Sequence, residues 1–198
     1  PGEKVSVALA GRTCETTADA QGKWSVRLDP ISEPGPHTLT VVGKNTIELT
    51  DVLAGEVWLG SGQSNMAMTV NRCLDLEQET AAANLPRIRM FTVSRTPAET
   101  PQEDVDGAWQ VCSPETVGGF SATAYFFGRE LHKELNVPVG LINSSWGGTP
   151  VQAWTSMDRQ QEQAELKSLL DDWDQRIREW DPEKAAAQFQ RQLKAWEE

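Results

Sequence analysis

The segment that most constrains the fold is an apolar run that stops at two glycines and is followed at once by a serine. It reads Glu56-Val57-Trp58-Leu59-Gly60-Ser61-Gly62-Gln63-Ser64-Asn65-Met66. A strand that ends in such a turn and gives way to a helix projects the serine Oγ from the carboxyl edge of a sheet. Backbone N–H groups at the start of the helix can hold a negatively charged oxygen there. The segment therefore predicts a strand-to-helix turn that presents Ser64 as a nucleophile.

After Glu56 the chain alternates between short apolar segments and segments with helical spacing. The pattern predicts strands at residues 57–59, 87–93 and 139–143, with a helix at residues 74–83. A second helix is predicted to begin after Ser121, because serine accepts hydrogen bonds from the free N–H groups of a first helical turn, and to end at Asn136. Alternating strands and helices are typical of a parallel sheet. We therefore predict an α/β domain over residues 54–198.

The first 53 residues have a different pattern, in which apolar and polar residues alternate with the period of a β-strand. Turn-forming residues separate the runs at residues 19–22 and 33–36. A module of this size is marginal on its own. We predict a small antiparallel, β-sandwich-like module at residues 1–53 that is stabilised by packing against the α/β domain. The alternating apolar residues are Val5, Val7, Leu9, Trp24, Val26 and Leu28.

The end of the chain predicts two amphipathic helices within a helical insertion at about residues 156–198. Asp181-Pro182 separates the two helices, with Asp181 as the capping residue of the second. Apolar stripes usually mark buried faces, so we expect the pair to pack against the rest of the fold. A lid beside a substrate groove is the alternative. The stripe consists of Leu166, Leu169, Leu170, Trp173, Ile177, Trp180, Phe189, Leu193 and Trp196.

Composition excludes several classes of function. A net charge of −11 argues against binding to a phosphate backbone. No stretch approaches the roughly 18 to 20 apolar residues that a membrane span needs. Cys14, Cys73 and Cys112 lie far apart without zinc-ligand spacing, and we expect buried free thiols, with one disulfide and one thiol as the alternative. Nucleic acid, membrane and metal are therefore not predicted partners.

The main difficulty for a serine nucleophile is the missing base. Serine needs a base within hydrogen-bond reach, usually a histidine that a carboxylate orients. The chain has two histidines, His37 in the β module and His132 on the helix after Ser121. Neither is predicted to contact the serine. The turn also lacks the second glycine of a Gly-x-Ser-x-Gly elbow and the third glycine of a dinucleotide fingerprint.

Two blocks of the sequence nevertheless resemble the sialate O-acetylesterase family of SGNH-type carbohydrate esterases. They are Gly62-Gln63-Ser64-Asn65-Met66 and Asn143-Ser144-Ser145-Trp146-Gly147-Gly148-Thr149. The resemblance implies an SGNH-hydrolase-like, flavodoxin-like parallel sheet and assigns Ser64 as the nucleophile. It also implies an oxyanion hole built from the N–H of Ser64 and that of Gly148 or Gly147, with Gly148 preferred. Further stretches at residues 19–24, 53–58, 112–116 and 120–128 are similar to the family in the same order.

The resemblance also implies a reaction and a set of contacts. The reaction is removal of O-acetyl groups from sialic acid or other acetylated glycans through an acyl-enzyme, without a metal or an organic cofactor. Gln63, Asn65, Trp146 and Trp154 are candidate substrate contacts, since aromatic faces stack on sugar rings. Burial in the core is the alternative for both tryptophans, and helix capping is the favoured alternative for Asn65. The implied location is secreted or periplasmic.

The departures from the family pattern are equally specific. Members continue into a Gln-Gly-Glu-Ser-Asn block and then into the Asp and His of the triad, and none of these is found in the 198 residues. The chain is thus expected to be the N-terminal part of a longer enzyme, nearly inert by itself and active with a companion polypeptide that carries the Asp and His. The rival interpretation is a non-catalytic carbohydrate-binding or scaffolding domain.

Overall fold

A computed structural model of the chain describes residues 1–98 and 100–197. Contacts between Cα atoms divide it into two compact units, Pro1–Gly148 and Thr149–Glu198. The described part of the first unit contains two β-sheets and the helices that contact the second of these sheets, and that of the second unit is built from helices. No helix of the described residues combines the length and the apolar character needed to cross a bilayer.

The first sheet is antiparallel and is formed by residues of the predicted β module. Its strands pair in the order β2-β1-β3-β4, so that β1 and β3 are central. Val5 and Val7 on β1 are 5% and 4% exposed and point to the buried face, as their alternation predicted. The strands are β1 (Lys4–Leu9), β2 (Arg12–Thr17), β3 (His37–Val42) and β4 (Thr46–Val52).

The alternating segment from Trp24 to Leu28 is not a strand, so this part of the prediction is wrong. In the described residues it has no ladder partner, and Trp24 is 43% exposed. The thiol of Cys14 on the edge strand β2 lies 3.5 Å from the carbonyl oxygen of Arg27. Alternation alone therefore did not identify a strand here, because a strand also requires a neighbour that pairs with its backbone groups.

The second sheet confirms the predicted parallel α/β arrangement. Its order is β5-β8-β6-β7, and β5, β8 and β6 run parallel to one another. The edge strand β7, which the sequence pattern did not predict, is antiparallel to β6. The strands are β5 (Glu56–Gly62), β6 (Leu85–Thr92), β7 (Trp109–Cys112) and β8 (Val139–Ser145). The change between the two sheets falls between β4 and β5, and the domain boundary at residue 53 remains a prediction.

Three helices accompany this sheet, α1 (Ser64–Ala67), α2 (Leu76–Ala81) and α3 (Ala122–Leu135). Helix α2 is shorter than the predicted segment of residues 74–83, because Asp75 has a left-handed backbone with φ +53°. Ser121 caps α3 and Asn136 ends it, as predicted. Helix α3 packs on β8 around a buried core. The core consists of Val70, Ala83, Ile88, Met90, Cys112, Val117, Phe120, Ala122, Ala124, Tyr125, Val139 and Leu141.

An ion pair connects the two sheets of the first unit. The guanidinium of Arg89 on β6 donates to both carboxylate oxygens of Asp51 on β4, at 2.7 and 3.0 Å. This hydrogen bond is the main reason why the pKa of the Asp51 carboxyl lies below its ordinary value. A bidentate pair fixes orientation better than a single contact does. The β module and the second sheet therefore have a defined polar contact.

The second unit contains α4 (Met157–Gln161), α5 (Lys167–Glu179) and α6 (Pro182–Glu197). Asp181 caps α6 as predicted, with its Oδ1 accepting from the N–H groups of Glu183 and Lys184 at 3.0 and 3.1 Å. The expected burial of the apolar stripe is wrong for these helices: neither α5 nor α6 contains a buried residue among those described. Trp180 and Trp196 are 68% and 83% exposed. A lid function stays a prediction.

All three cysteines are free thiols, but only Cys112 is fully buried. Burial raises the pKa of the Cys112 thiol to about 11. At pH 8 about one Cys112 in a thousand would be the reactive thiolate. We expect a thiol reagent at pH 8 to modify Cys14 and Cys73 in the native protein and Cys112 only after denaturation. Peptide mass mapping with and without denaturant measures this, and native labelling of Cys112 would contradict it.

Candidate active site

The backbone at the end of β5 explains why two glycines precede the serine. Gly62 has φ +144°, a conformation that side chains with a Cβ rarely adopt. Its carbonyl oxygen accepts a 2.9 Å hydrogen bond from the N–H of Trp146. A Cβ on Gly60 would lie 3.2 Å from the sulfur of Met66, which folds back under the turn. The strand can thus end at Gly62 and α1 can begin at Ser64.

The glycine block of the second motif lies directly against this serine. Strand β8 is parallel to β5 with Gly62 opposite Ser145, so the residues that follow each strand emerge at the same sheet edge. A Cβ on Gly147 would lie 3.3 Å from Ser64 Oγ and 3.6 Å from Ser64 Cα. Gly148 has φ +81° and open space around its Cβ position. Of the two glycines, Gly147 is the one in close contact with Ser64.

Ser64 is exposed and faces a cavity of about 370 Å³ that is lined by residues 61–66 and Thr123. Its hydroxyl donates a long hydrogen bond of 3.3 Å to Gln63 Oε1. Gln63 occupies the N-cap position of α1 without capping it through its side chain. Asn65 is therefore inside the helix, and the prediction that it caps the helix is wrong. Gln63 and Asn65 both line the cavity beside Ser64.

The first turn of α3 holds the serine turn in place. Ser121 is fully buried, and its hydroxyl donates to the carbonyl oxygen of Met66 at 2.6 Å while it accepts from the N–H of Ala124 at 3.2 Å. Thr123 Oγ1 donates to the carbonyl oxygen of Asn65 at 2.9 Å. Helices leave their last carbonyls unpaired, and α1 is too short to satisfy its own. The sequence predicted Ser121 as a cap but not as a support for the serine turn.

We expect Ser121→Ala to lower the free energy of unfolding by about 2 kcal/mol. Loss of the cap contributes about 1 kcal/mol, and leaving the partly buried Met66 carbonyl without its hydroxyl donor costs about 1 kcal/mol more. Chemical denaturation measures the change. Ser156→Ala is the matched control, because Ser156 occupies the N-cap position of α4 without a side-chain hydrogen bond. Equal effects of the two substitutions would contradict the assigned role of Ser121.

A buried polar pair at the end of β8 is a feature that sequence reasoning missed. Asn143 and Ser145 are each 7% exposed, and Ser145 Oγ donates to Asn143 Oδ1 at 2.7 Å. Arg95, which follows β6, donates from Nε to the carbonyl oxygen of Ser145 at 3.3 Å. Both polar residues lie in the motif that carries Gly147. The available signal was polar residues at inward positions of an otherwise apolar strand.

The two candidate tryptophans lie in different units. Trp146 belongs to the first unit and is 37% exposed. Trp154 belongs to the second unit, is 40% exposed, and donates from Nε1 to Thr149 Oγ1 at 2.7 Å. The alternative of core burial is thus wrong for both side chains. Their role as carbohydrate contacts remains a prediction.

Neither histidine is placed as a base for Ser64. The His37 ring lies with Nε2 at 2.8 Å from the carbonyl oxygen of Glu33 in the β module. The His132 ring has Nδ1 at 2.7 Å from the carbonyl oxygen of Val137, beyond the C-terminal end of α3. The serine turn contacts the opposite end of that helix. Among the described residues there is likewise no group of three or more histidine, cysteine, aspartate or glutamate residues that could hold a metal ion.

Comparisons with known proteins identify the family to which this chain is similar. The family described as "Carbohydrate esterase, sialic acid-specific acetylesterase" matches residues 54–196. Sialate O-acetylesterase of Rattus norvegicus is 41% identical over 149 residues, covering 67% of this chain and 27% of that protein. The Homo sapiens enzyme is 42% identical over the same length, covering 67% and 28%.

A solved structure gives the same result for the fold. The crystal structure of a novel carbohydrate acetylesterase from Xanthomonas citri superposes with a TM-score of 0.76 at 38% identity, covering 78% of this chain and 36% of that one. The chain therefore spans about a third or less of each of these relatives. The family match includes the serine turn, the glycine block and the helices of the second unit. The chain belongs to the carbohydrate esterase family of sialic acid-specific acetylesterases.

Proposed function

We propose that Ser64 is the nucleophile in the hydrolysis of O-acetyl esters on carbohydrates. The observation that carries the proposal is the position of Gly147 beside the serine, where an added Cβ would lie only 3.3 Å from Ser64 Oγ. The serine lies in an open cavity at the carboxyl edge of a parallel sheet, where substrates of α/β proteins commonly bind. Family membership supports the reaction class.

In the proposed reaction, Ser64 Oγ attacks the acetyl carbonyl carbon while its proton passes to a base. The backbone N–H of Ser64 and that of Gly147 or Gly148 stabilise the oxyanion, and one such donor contributes about 3 kcal/mol to transition-state binding. The tetrahedral intermediate expels the sugar hydroxyl, which receives the proton. Water then attacks the acetyl-serine, and acetate leaves. The hydrogen bond of Ser64 to Gln63 must break when the base takes the proton.

The base and its orienting carboxylate are proposed to come from polypeptide other than these 198 residues. The engaged positions of His37 and His132 support this, because each ring is bonded to a carbonyl oxygen away from Ser64. The chain by itself is accordingly proposed to be nearly inert, and its activity to depend on a second part of the enzyme that carries the Asp and His. By family resemblance the site of action is secreted or periplasmic.

The names of the relatives indicate two substrate groups. The rat and human relatives are sialate O-acetylesterases, and the Xanthomonas citri protein is a carbohydrate acetylesterase. We propose an acetylated carbohydrate as substrate for the protein of which this chain is part. The exposed rings of Trp146 and Trp154, at 37% and 40%, support a second candidate, a non-catalytic domain that binds carbohydrate. The two candidates differ in whether Ser64 is activated.

The test is intact-mass analysis of natively purified protein after treatment with a serine-reactive phosphonate, with Ser64→Ala as the control. The expected result is an adduct on this chain that the control lacks, together with the mass of the polypeptide that supplies the base. An unmodified chain in the presence of that polypeptide would overturn the nucleophile assignment. An unmodified chain with no associated polypeptide would favour the carbohydrate-binding candidate.

A further inference from the structure

Strand β8 changes from apolar to polar side chains along its buried face. Val139 and Leu141 are fully buried there, and Asn143 and Ser145 follow at the next two inward positions. A strand that lies between two parallel neighbours, as β8 does, is normally apolar at such positions. Buried polar side chains reduce stability unless they are hydrogen-bonded. The polar end of β8 therefore has a cause other than the burial of apolar surface.

The two polar residues lie beside the glycines of the serine turn. In the parallel ladder, Asn143 is opposite Gly60 and Ser145 is opposite Gly62. Paired residues of neighbouring strands face the same side of a sheet, and these glycines have no side chains there. Met66 of α1 covers them, because its Sδ and Cβ lie 3.2 and 3.5 Å from the positions of a Cβ on Gly60 and on Gly62. The polar residues are thus next to the helix that carries the candidate nucleophile, and this helix contacts β8.

Hydrogen bonds restrain the end of β8 from three directions. The hydroxyl of Ser145 donates to Asn143 Oδ1 at 2.7 Å. The carbonyl oxygen of Ser145 accepts from Nε of Arg95, which follows β6, at 3.3 Å. The N–H of Trp146 donates to the carbonyl oxygen of Gly62 on β5 at 2.9 Å. The backbone is therefore fixed immediately before the glycine block, by a side chain of its own strand and by both neighbouring strands.

Gly147 follows this restrained end after a single residue, Trp146. A Cβ on Gly147 would lie 3.3 Å from Ser64 Oγ, so its backbone is close to the proposed reaction. An oxyanion donor must lie about 2.7 to 3.1 Å from the charged oxygen. A displacement of about 1 Å in such a group can lower the rate about 100-fold. The direction of the Gly147 N–H depends on the peptide between Trp146 and Gly147, and hence on the position of Ser145.

We propose that Ser145 is a positioning residue, whose hydroxyl bond to Asn143 fixes the end of β8 so that the Gly147 N–H reaches the oxyanion. This inference rests on the proposed function and selects Gly147 over Gly148 as the oxyanion donor. Neither polar side chain contacts the ester, and both act through the glycine backbone. Their loss is therefore expected in the chemical step and not in the binding of the sugar.

The kinetic test measures hydrolysis of an O-acetylated sialic acid by the longest natural polypeptide that contains this chain. Ser145→Ala is expected to lower kcat by about 10- to 100-fold and to change KM less than about 3-fold. Ser145→Thr keeps the hydroxyl and is expected to retain most of the activity. Ser144→Ala is the matched control, because Ser144 is on the opposite, half-buried face of the same strand. Chemical denaturation establishes that each variant is folded.

A double-mutant cycle tests whether the two polar side chains act as a unit. Asn143→Leu removes the acceptor and continues the apolar pattern of the strand, so it is expected to lower kcat as Ser145→Ala does. The double variant is expected to lose no more than either single variant, because all three lack the same hydrogen bond. Losses that multiply would overturn the role of the pair. An unchanged kcat in folded Ser145→Ala, or an equal loss in Ser144→Ala, would also overturn it.

A second measurement observes Gly147 directly and does not depend on catalysis. In protein labelled with ¹⁵N-glycine, the amide resonance of Gly147 is expected to shift in Ser145→Ala and to stay in place in Ser144→Ala. An unshifted resonance would overturn the inference even if kcat falls. A polypeptide that hydrolyses no ester would contradict the proposed function, and the resonance would still decide whether Ser145 positions Gly147. Hydrolysis that survives Ser64→Ala would overturn the nucleophile assignment alone.

Discussion

Replacement of Ser64 by alanine is expected to lower kcat/KM for an acetylated carbohydrate by at least about 10⁴-fold in the longest natural polypeptide that contains this chain. Removal of a catalytic serine leaves only the contributions of substrate binding and of the oxyanion donors. The side chain is exposed, and the one hydrogen bond that it makes within the described residues, to Gln63, is 3.3 Å long. We therefore expect the free energy of unfolding to change by less than about 0.5 kcal/mol. Initial rates and chemical denaturation together measure both quantities.

The control for this prediction is a neighbouring hydroxyl outside the proposed chemistry. Ser61 lines the same cavity but belongs to strand β5. Ser61→Ala is expected to retain activity within a few-fold. If Ser61→Ala and Ser64→Ala lowered kcat/KM equally, the loss would reflect the shape of the cavity rather than a nucleophile. A stable Ser64→Ala variant with normal activity would contradict the proposed function directly.

Gly128→Ala is expected to lower the free energy of unfolding by about 2 kcal/mol, although alanine is normally the better helix former. A Cβ at this position of α3 would lie 2.6, 2.7 and 3.0 Å from three side-chain atoms of Leu141 on β8. Alanine gains about 1 kcal/mol of helix propensity over glycine. Forcing an extra carbon against a side chain that is 1% exposed costs up to about 3 kcal/mol. The packing term therefore exceeds the propensity term.

A double-mutant cycle identifies the cause. Leu141→Ala alone is expected to destabilise by about 3 kcal/mol through its cavity, but it removes the atoms that the new Cβ would meet. Gly128→Ala in that background is expected to be neutral or stabilising, so the coupling between the sites is favourable. Gly119→Ala is the control, because nothing lies within 4 Å of its Cβ position. Additive effects at Gly128 and Leu141 would contradict the close packing of α3 on β8.

Most parts of the fold that the sequence predicted are those in which local pattern and tertiary burial agree. The strands around residues 87–93 and 139–143 and the capped helix α3 bury apolar faces in one core. The strand around residues 57–59 is the exception, because it forms by pairing with β8 while Val57, Trp58 and Leu59 are 63%, 44% and 66% exposed. The prediction of a strand at Trp24 was wrong because an alternating pattern does not specify a partner strand. Strand β7 was missed because its four residues offer too short a pattern, and Trp109 at its start is 50% exposed. The position of β8 between β5 and β6 depends on which strands pair, and the sequence of one strand does not specify its partners.

The candidate site likewise has parts that the sequence predicted and parts that it did not. Ser64 was predicted from the turn pattern and the family resemblance, and the glycine block from that resemblance; the structure brings Gly147 against the serine. The supports of the site were not predicted, because Ser121 reaches the carbonyl oxygen of Met66 across 55 residues of sequence. The hydrogen bond of Arg95 to the Ser145 carbonyl oxygen could not be predicted either, because the sequence around an arginine does not show which strand lies beside it. The supports of the candidate site are therefore long-range polar contacts, which the sequence motif alone does not reveal.

The parallel pairing of β5 with β8 also has a consequence for synthesis on the ribosome. Gly62 pairs with Ser145, so the serine turn and its glycines are separated by about 80 residues of chain. Translation at about 5 to 20 residues per second would need roughly 4 to 16 s to cover that interval. During this time the nascent polypeptide carries the serine without the glycine block opposite it. The candidate site therefore forms only after β8 and the glycine block that follows it have been synthesised.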